Sequence, residues 1–143
     1  MRSIEILRGA NHVPVIIEFL DKYRSIDFIQ HEEYLWNHLD EYDSSLGFWG
    51  LPEPVKSYAL EVAYHYQTVA YIAFNNVADR AALIPQMHYR VTKTWQAISP
   101  HVNGERANRG GEFTFLNMLE ALVQKMASLD IQALSRKQAS KLL

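Results

Sequence analysis

The sequence predicts an all-α chain: a compact bundle of about six helices with one long central helix. Three observations carry that expectation. Apolar side chains recur at spacings of three and four through most of the chain, which places them on one face of a helix. No stretch alternates apolar and polar residues strictly enough to read as a half-buried strand. The interruptions fall at Ser, Asp, Pro and Gly, the residues that begin and end helices.

The elements follow in order. Asn11 is a good N-cap, and Pro14 falls in the first turn, where a missing N–H leaves no bond unmade. Val13, Ile16, Ile17 and Leu20 then form one apolar face to about Tyr23. Ser25 caps a second helix carrying Phe28, Ile29, Tyr34, Leu35 and Leu39, and Asp27 near its start suits the positive end of the helix dipole. Residues 42–51 hold Asp43, two serines, Gly47 and Gly50 and read as a loop. Pro52 and Pro54 open the longest segment, which is expected to run to Val77 or Ala78. Between Ala59 and Asn75 its only charge is Glu61, so it is apolar nearly all round and belongs at the centre.

Beyond it, Asp79 caps a short helix that is expected to end before Pro85. A further helix over 87–99 turns Met87, Val91, Trp95 and Ile98 inward, and Pro100 restarts the chain until Gly110 and Gly111 stop it. Residues 113–129 are amphipathic through Phe115, Leu116, Leu119, Leu122, Val123 and Met126. Residues after Asp130 add a last short helix. Residues 1–10 and about 136–143 are expected to fray. With no repeat, linker or low-complexity tract, residues 1–143 form one domain.

Composition narrows the function. At 48% hydrophobic and 21% charged, the chain has ordinary globular usage. It has no cysteine, which excludes a disulfide scaffold, a thiolate metal site and a cysteine nucleophile together. No run approaches the ~18–20 apolar residues of a bilayer span, and residues 1–10 lack a signal-peptide core, so a cytoplasmic chain without a membrane span is expected. Residues 1–75 hold five basic and eleven acidic side chains, and residues 76–143 hold nine basic and five acidic. From Asp27 to Asp43 there are six acids and no Lys or Arg, read as a solvated face opposite a basic one or as an acidic docking surface. A net charge of −2 argues against nucleic-acid binding, which rests on many phosphate contacts.

Asn11, Pro14, Val15 and Glu18, then Arg24-Ser25 with Phe28, Leu46-Gly47 and Leu51-Pro52-Glu53 form an ordered series. It continues through Val77 and Asp79 to Trp95, Pro100, Glu105-Arg106 and the closing Phe113, Leu116 and Glu120. In order and spacing the chain resembles a bacterial helical family catalogued as a domain of unknown function. The resemblance implies a helical class and no activity. Many such relatives carry a membrane helix before the stretch matching Asn11. Only ten residues precede it here, so a soluble member or a trimmed one is expected.

Several constellations bear on chemistry. Arg24 and His31, with six residues between them, match the loose Arg–His spacing of the HEPN ribonucleases, in which a histidine acts as acid or base beside a phosphate-binding arginine. The plainer reading pairs His31 with Asp27 one turn back. Glu61 and His65 form a second carboxylate–histidine pair, but two ligands fall short of the three or four that zinc takes. No phosphate-cradling loop, nucleophile elbow or Ser-x-x-Lys pair is present. Arg106 and Arg109, one turn apart, can clamp a carboxylate or phosphate or tie a loop to an acidic helix. Phe48 and Trp49, bracketed by glycines, either plug the bundle end or await a partner.

With a good core and no complete catalytic set, the expected function is a non-enzymatic protein-interaction or self-association domain without cofactor, its partner another protein or a second copy. Two alternatives stand beside it: a small ribonuclease using Arg24 and His31, and a metal or small-ligand binder centred on Glu61 and His65.

Overall fold

Ser25 divides the N-terminal chain into two helices. Its backbone is extended (φ −67°, ψ 143°) and its hydroxyl accepts the Phe28 N–H at 3.3 Å, so the cap is formed as expected. In the computed structural model, which describes residues 13–75 and 77–141, these are α1 (Val13–Arg24) and α2 (Ile26–His38). Two short 3-10 turns, Leu39–Glu41 and Ser44–Leu46, lead to α3 (Val55–Asn75), α4 (Val77–Asn108), α5 (Asn117–Ala127) and α6 (Ile131–Ser140). Among the described residues there is no strand, and no helix is long and apolar enough to cross a membrane. The expected caps at Asn11 and Asp79 lie outside the described residues and side chains.

The central position of α3 follows from its sequence. Val55, Ala59, Val62, Ala63, Tyr66, Val69, Ala70 and Ala73 are all buried, and α2, α4 and α5 pack around it. Small alanines beside Val and Tyr let neighbouring helices approach closely. Its described span ends at Asn75, and the residue that follows lies outside the described residues.

The largest departure from expectation is α4. The two breaks assigned to Pro85 and Pro100 do not occur: one helix of 32 residues runs through both. A proline inside a helix costs about 3 kcal/mol, largely because it removes a donor from the carbonyl four residues back. For Pro85 that carbonyl is Ala81, and the side-chain amide of Gln138 on α6 donates to it at 3.0 Å. A donor 57 positions along the chain replaces the missing backbone bond. Pro100 lies on the exposed side, and it leaves the Gln96 carbonyl without its usual helical donor. At the far end, Gly111 N–H bonds to Arg106 O at 2.8 Å and Gly110 N–H to Ala107 O at 3.1 Å, with φ of 88° and 76° at the two glycines. This is the paired closure that glycine permits, and α4 stops where expected.

α5 begins at Asn117, later than expected, because its cap residue Leu116 is left-handed (φ 59°) while its side chain is buried. The segment expected to fray from 136 is helical to Ser140, with the Asp130 side chain accepting from Ala133 N–H at 3.0 Å. Trp95 is only partly buried, while Val91 and Ile98 on the same stripe are fully so.

The acidic segment is not one solvated face. Glu32 is 0% exposed. Arg90 Nε donates to its Oε1 at 2.6 Å, and Thr94 and Tyr66 hydroxyls both donate to Oε2, the former at 3.1 Å. Arg90 also donates to Tyr23 O at 2.6 Å and covers the Tyr23 ring at 3.7 Å, while Trp36 Nε1 donates to Thr94 Oγ1 at 2.8 Å. Four helices meet on this network. Burial pushes the Glu32 carboxyl upward, against the donors from Tyr66, Arg90 and Thr94. Burial also opposes the Arg90 charge, but its bonds to Glu32 outweigh that and hold it more firmly protonated. Three donors on two oxygens suit the ionised, acceptor-only carboxylate.

Removing one partner leaves a buried charge alone, so Arg90→Met should cost about 3–5 kcal/mol in a denaturant melt. Glu32→Met with Arg90→Met should cost less than the two single changes added, by about 1–3 kcal/mol. Gly104 gives a second check. A methyl group there would overlap the Ser44 carbonyl oxygen. Gly104→Ala should therefore destabilise by about 1–3 kcal/mol, although helix propensity alone predicts a gain of roughly 1 kcal/mol.

Candidate functional site

The Phe48–Trp49 loop is bound to the end of α4 by a single carboxylate. Glu105 Oε1 accepts Phe48 N–H at 2.9 Å and Trp49 N–H at 3.3 Å, and Glu105 Oε2 accepts Arg109 Nε at 3.0 Å. Burial acts to raise the Glu105 carboxyl, but the two backbone donors and Arg109 outweigh it and leave it lowered. Gly47 makes the approach possible: it is left-handed (φ 63°), and a Cβ there would sit 2.9 Å from Glu105 Cα.

The two aromatics then part company. Phe48 is buried edge-on against Phe115 at 5.1 Å. Trp49 remains 47% exposed, its ring 5.9 Å from Phe115. The Arg109 guanidinium lies 4.9 Å from the Trp49 ring and 4.7 Å from the Phe115 ring. Tyr64 approaches Phe115 from α3 at 6.3 Å and is 44% exposed. Phe113, in the loop before α5, is 78% exposed. The bundle end therefore presents Trp49 and Tyr64 around Phe115 and an arginine whose charge is balanced by Glu105 and by Glu112 at 3.8 Å, with Phe113 exposed in the adjoining loop.

Arg106 and Arg109 do not form a joint clamp. Arg106 is buried and turned inward, donating through Nε and Nη2 to Phe115 O at 3.1 and 2.8 Å and through Nη1 to Glu120 at 3.2 Å. It holds the carbonyl next to the left-handed Leu116, where a non-glycine residue stores about 1–3 kcal/mol of strain.

His31 turns to α3 rather than to Asp27. Its Nδ1 lies 2.7 Å from Glu61 Oε2, its ring stacks on Tyr58 at 4.1 Å, and Lys22 reaches Glu61 Oε1 at 3.1 Å. Burial acts to raise Glu61, but hydrogen bonds from His31 and Lys22 leave it lowered. Arg24 is exposed, and no hydrogen bond or ion pair joins it to His31. Glu61 and His65 also diverge. His65 is buried among Phe28, Phe19 and Tyr66, with ring centroids 4.8, 5.5 and 5.6 Å away. No three His, Asp or Glu side chains gather as a metal set among the described residues.

A cleft of about 590 Å³ lies between α4 and the end of α2 with the turns that follow it. Trp36, Asp40, Lys93 and Gln96 line its sides, and His101 lines it while being 2% exposed. Neither His101 ring nitrogen makes a well-formed hydrogen bond. Burial lowers the His101 pKa, against the Tyr42 carbonyl and the Asp43 charge, which act to raise it. Nothing in the sequence marked this place, since its residues come from separate segments and match no motif.

Burial, with Lys22 and Arg90 adding to it against Glu61, lowers His65 from 6.5 to about 4. Because the folded value lies below the unfolded one, the unfolded chain binds more protons between them. Stability from this group is complete above about pH 6.5 and is lost as pH falls towards 4, by an amount on the order of 3 kcal/mol. Urea melts at neutral and acid pH should show that slope, and His65→Leu should flatten it.

No protein-family model, no curated protein and no solved structure matches this chain.

Proposed function

We propose that this chain is a helical protein-interaction domain that docks its partner through the aromatic end of the bundle. The observation that carries the reading is Trp49: a large aromatic left half exposed on a loop whose backbone is held rigidly by Glu105. Aromatic residues and arginine dominate the energetic centres of interfaces. A preorganised loop also avoids much of the ordering cost of association. Trp49, Tyr64 and Phe113 supply the apolar area, and Arg109, balanced by Glu105 and Glu112, carries no unmatched charge into the contact. The nearest enzymatic alternative finds less support, because His31 is engaged by Glu61, and Glu61 by Lys22. The partner is another protein or a second copy of this chain.

A photo-crosslinking residue placed at Trp49 or Phe113 should yield a discrete protein adduct, to this chain or to another. The same probe at Ile26, exposed at the start of α2, should not. Trp49→Ala should weaken the association by about tenfold or more while leaving helix content unchanged, as read by sedimentation velocity and circular dichroism. Equal labelling from all three positions would sink the assignment.

A further inference from the structure

The cleft between α2 and α4 has features that protein docking does not use. Lys93 and Asp40 both line it, yet neither has an ion-pair partner among the described residues. Lys93 Nζ instead rests 4.7 Å from the Trp36 ring and 3.4 Å from the Tyr89 hydroxyl. Gln96 and Pro100 line it too, and the proline cannot supply the Gln96 carbonyl with its usual helical donor. His101 lines it as well, with a ring that is 2% exposed and nitrogens that are sealed from solvent.

The order of these groups follows from helix direction. Trp36 meets Thr94, and Ser45 meets Asn108, so α2 and the segment after it run parallel to α4. Lys93 therefore lies abreast of Trp36, and Asp40 comes four residues farther on, about one helical turn or ~5–6 Å towards His101. A cationic group, an aromatic face, and then an anionic end with a backbone acceptor are set out along one trough. Its volume falls within the range of small-molecule sites, roughly 300–1,000 Å³.

We infer that this cleft binds a small dipolar molecule of dipeptide or ω-amino-acid size, its carboxylate on Lys93 and its ammonium on Asp40 and the Gln96 carbonyl. Such a ligand meets both unpaired charges at once, which a simple anion or cation does not. The separation favours charges several bonds apart over the adjacent pair of an α-amino acid. The His101 ring, which burial holds below the usual histidine pKa, is an uncharged part of the lining beneath the ligand at ordinary pH. Trp36, fixed through Thr94 to the buried Glu32, is the rigid wall.

The test is calorimetric titration with glycyl-leucine, glycyl-phenylalanine and 5-aminovalerate, followed by His101 imidazole resonances in the full chain. At least one probe should bind saturably and shift those resonances. Acetylating its amine or amidating its carboxylate should weaken it by about tenfold or more, the scale of a lost charge-assisted hydrogen bond. Lys93→Met and Asp40→Asn should do the same; both side chains are exposed, so the fold survives. Trp49→Ala should leave binding unchanged, which separates this site from the aromatic end. No saturable binding at millimolar concentration, or binding that neither substitution weakens, overturns the inference.

Discussion

The pairing of the buried Glu32 with the partly buried Arg90 is the constraint around which the bundle is assembled. Helices packed through Val, Leu and Ala surfaces alone can slide and rotate with little penalty, because apolar attraction is not directional. A carboxylate that needs three donors has only one acceptable register. Tyr66 from α3 and Arg90 and Thr94 from α4 must arrive together, and Arg90 in turn needs the Tyr23 carbonyl from α1. The net free energy of such a pair is small or unfavourable relative to an apolar replacement. Its effect is on uniqueness. It also places Trp36, through Thr94, and so connects the core to the cleft.

What could be read from the chain follows the reach of each signal. Local signals were legible: the Ser25 cap, the Gly110-Gly111 stop and the nearly all-round apolar surface of α3 each depend on residues a turn or two apart. Pro85 was misread because its remedy lies on α6, at Gln138, and no local pattern carries that. Glu32 was hidden by its company. Among five other acids it reads as part of a solvated face, and only its partners on α3 and α4 reveal that it points inward. Residues 113–116 failed for a similar reason: apolar spacing suits a helix there, but Arg106 holds the Phe115 carbonyl and Leu116 turns left-handed.

The candidate sites show the same division. The bracketing glycines made the Phe48–Trp49 loop conspicuous, while the split between a buried Phe48 and an exposed Trp49 depends on Glu105 far along the chain. Spacing groups Arg106 with Arg109, yet it cannot say that one faces Phe115 and Glu120 while the other spreads over Trp49. The cleft was invisible because none of its residues is unusual alone.

The bond from Gln138 to the Ala81 carbonyl bears on the order in which the chain matures. A polypeptide emerging from the ribosome tends to fold from its N-terminal side, but the first half of α4 has a gap in its hydrogen-bond ladder that only α6 fills. Until residue 138 has been synthesised, that half of the longest helix lacks its replacement donor, and the stretch around Pro85 is its weakest point. The last helix, mostly exposed and without a fully buried residue of its own, thereby acts as a late fastening: its arrival completes a helix begun some sixty residues earlier.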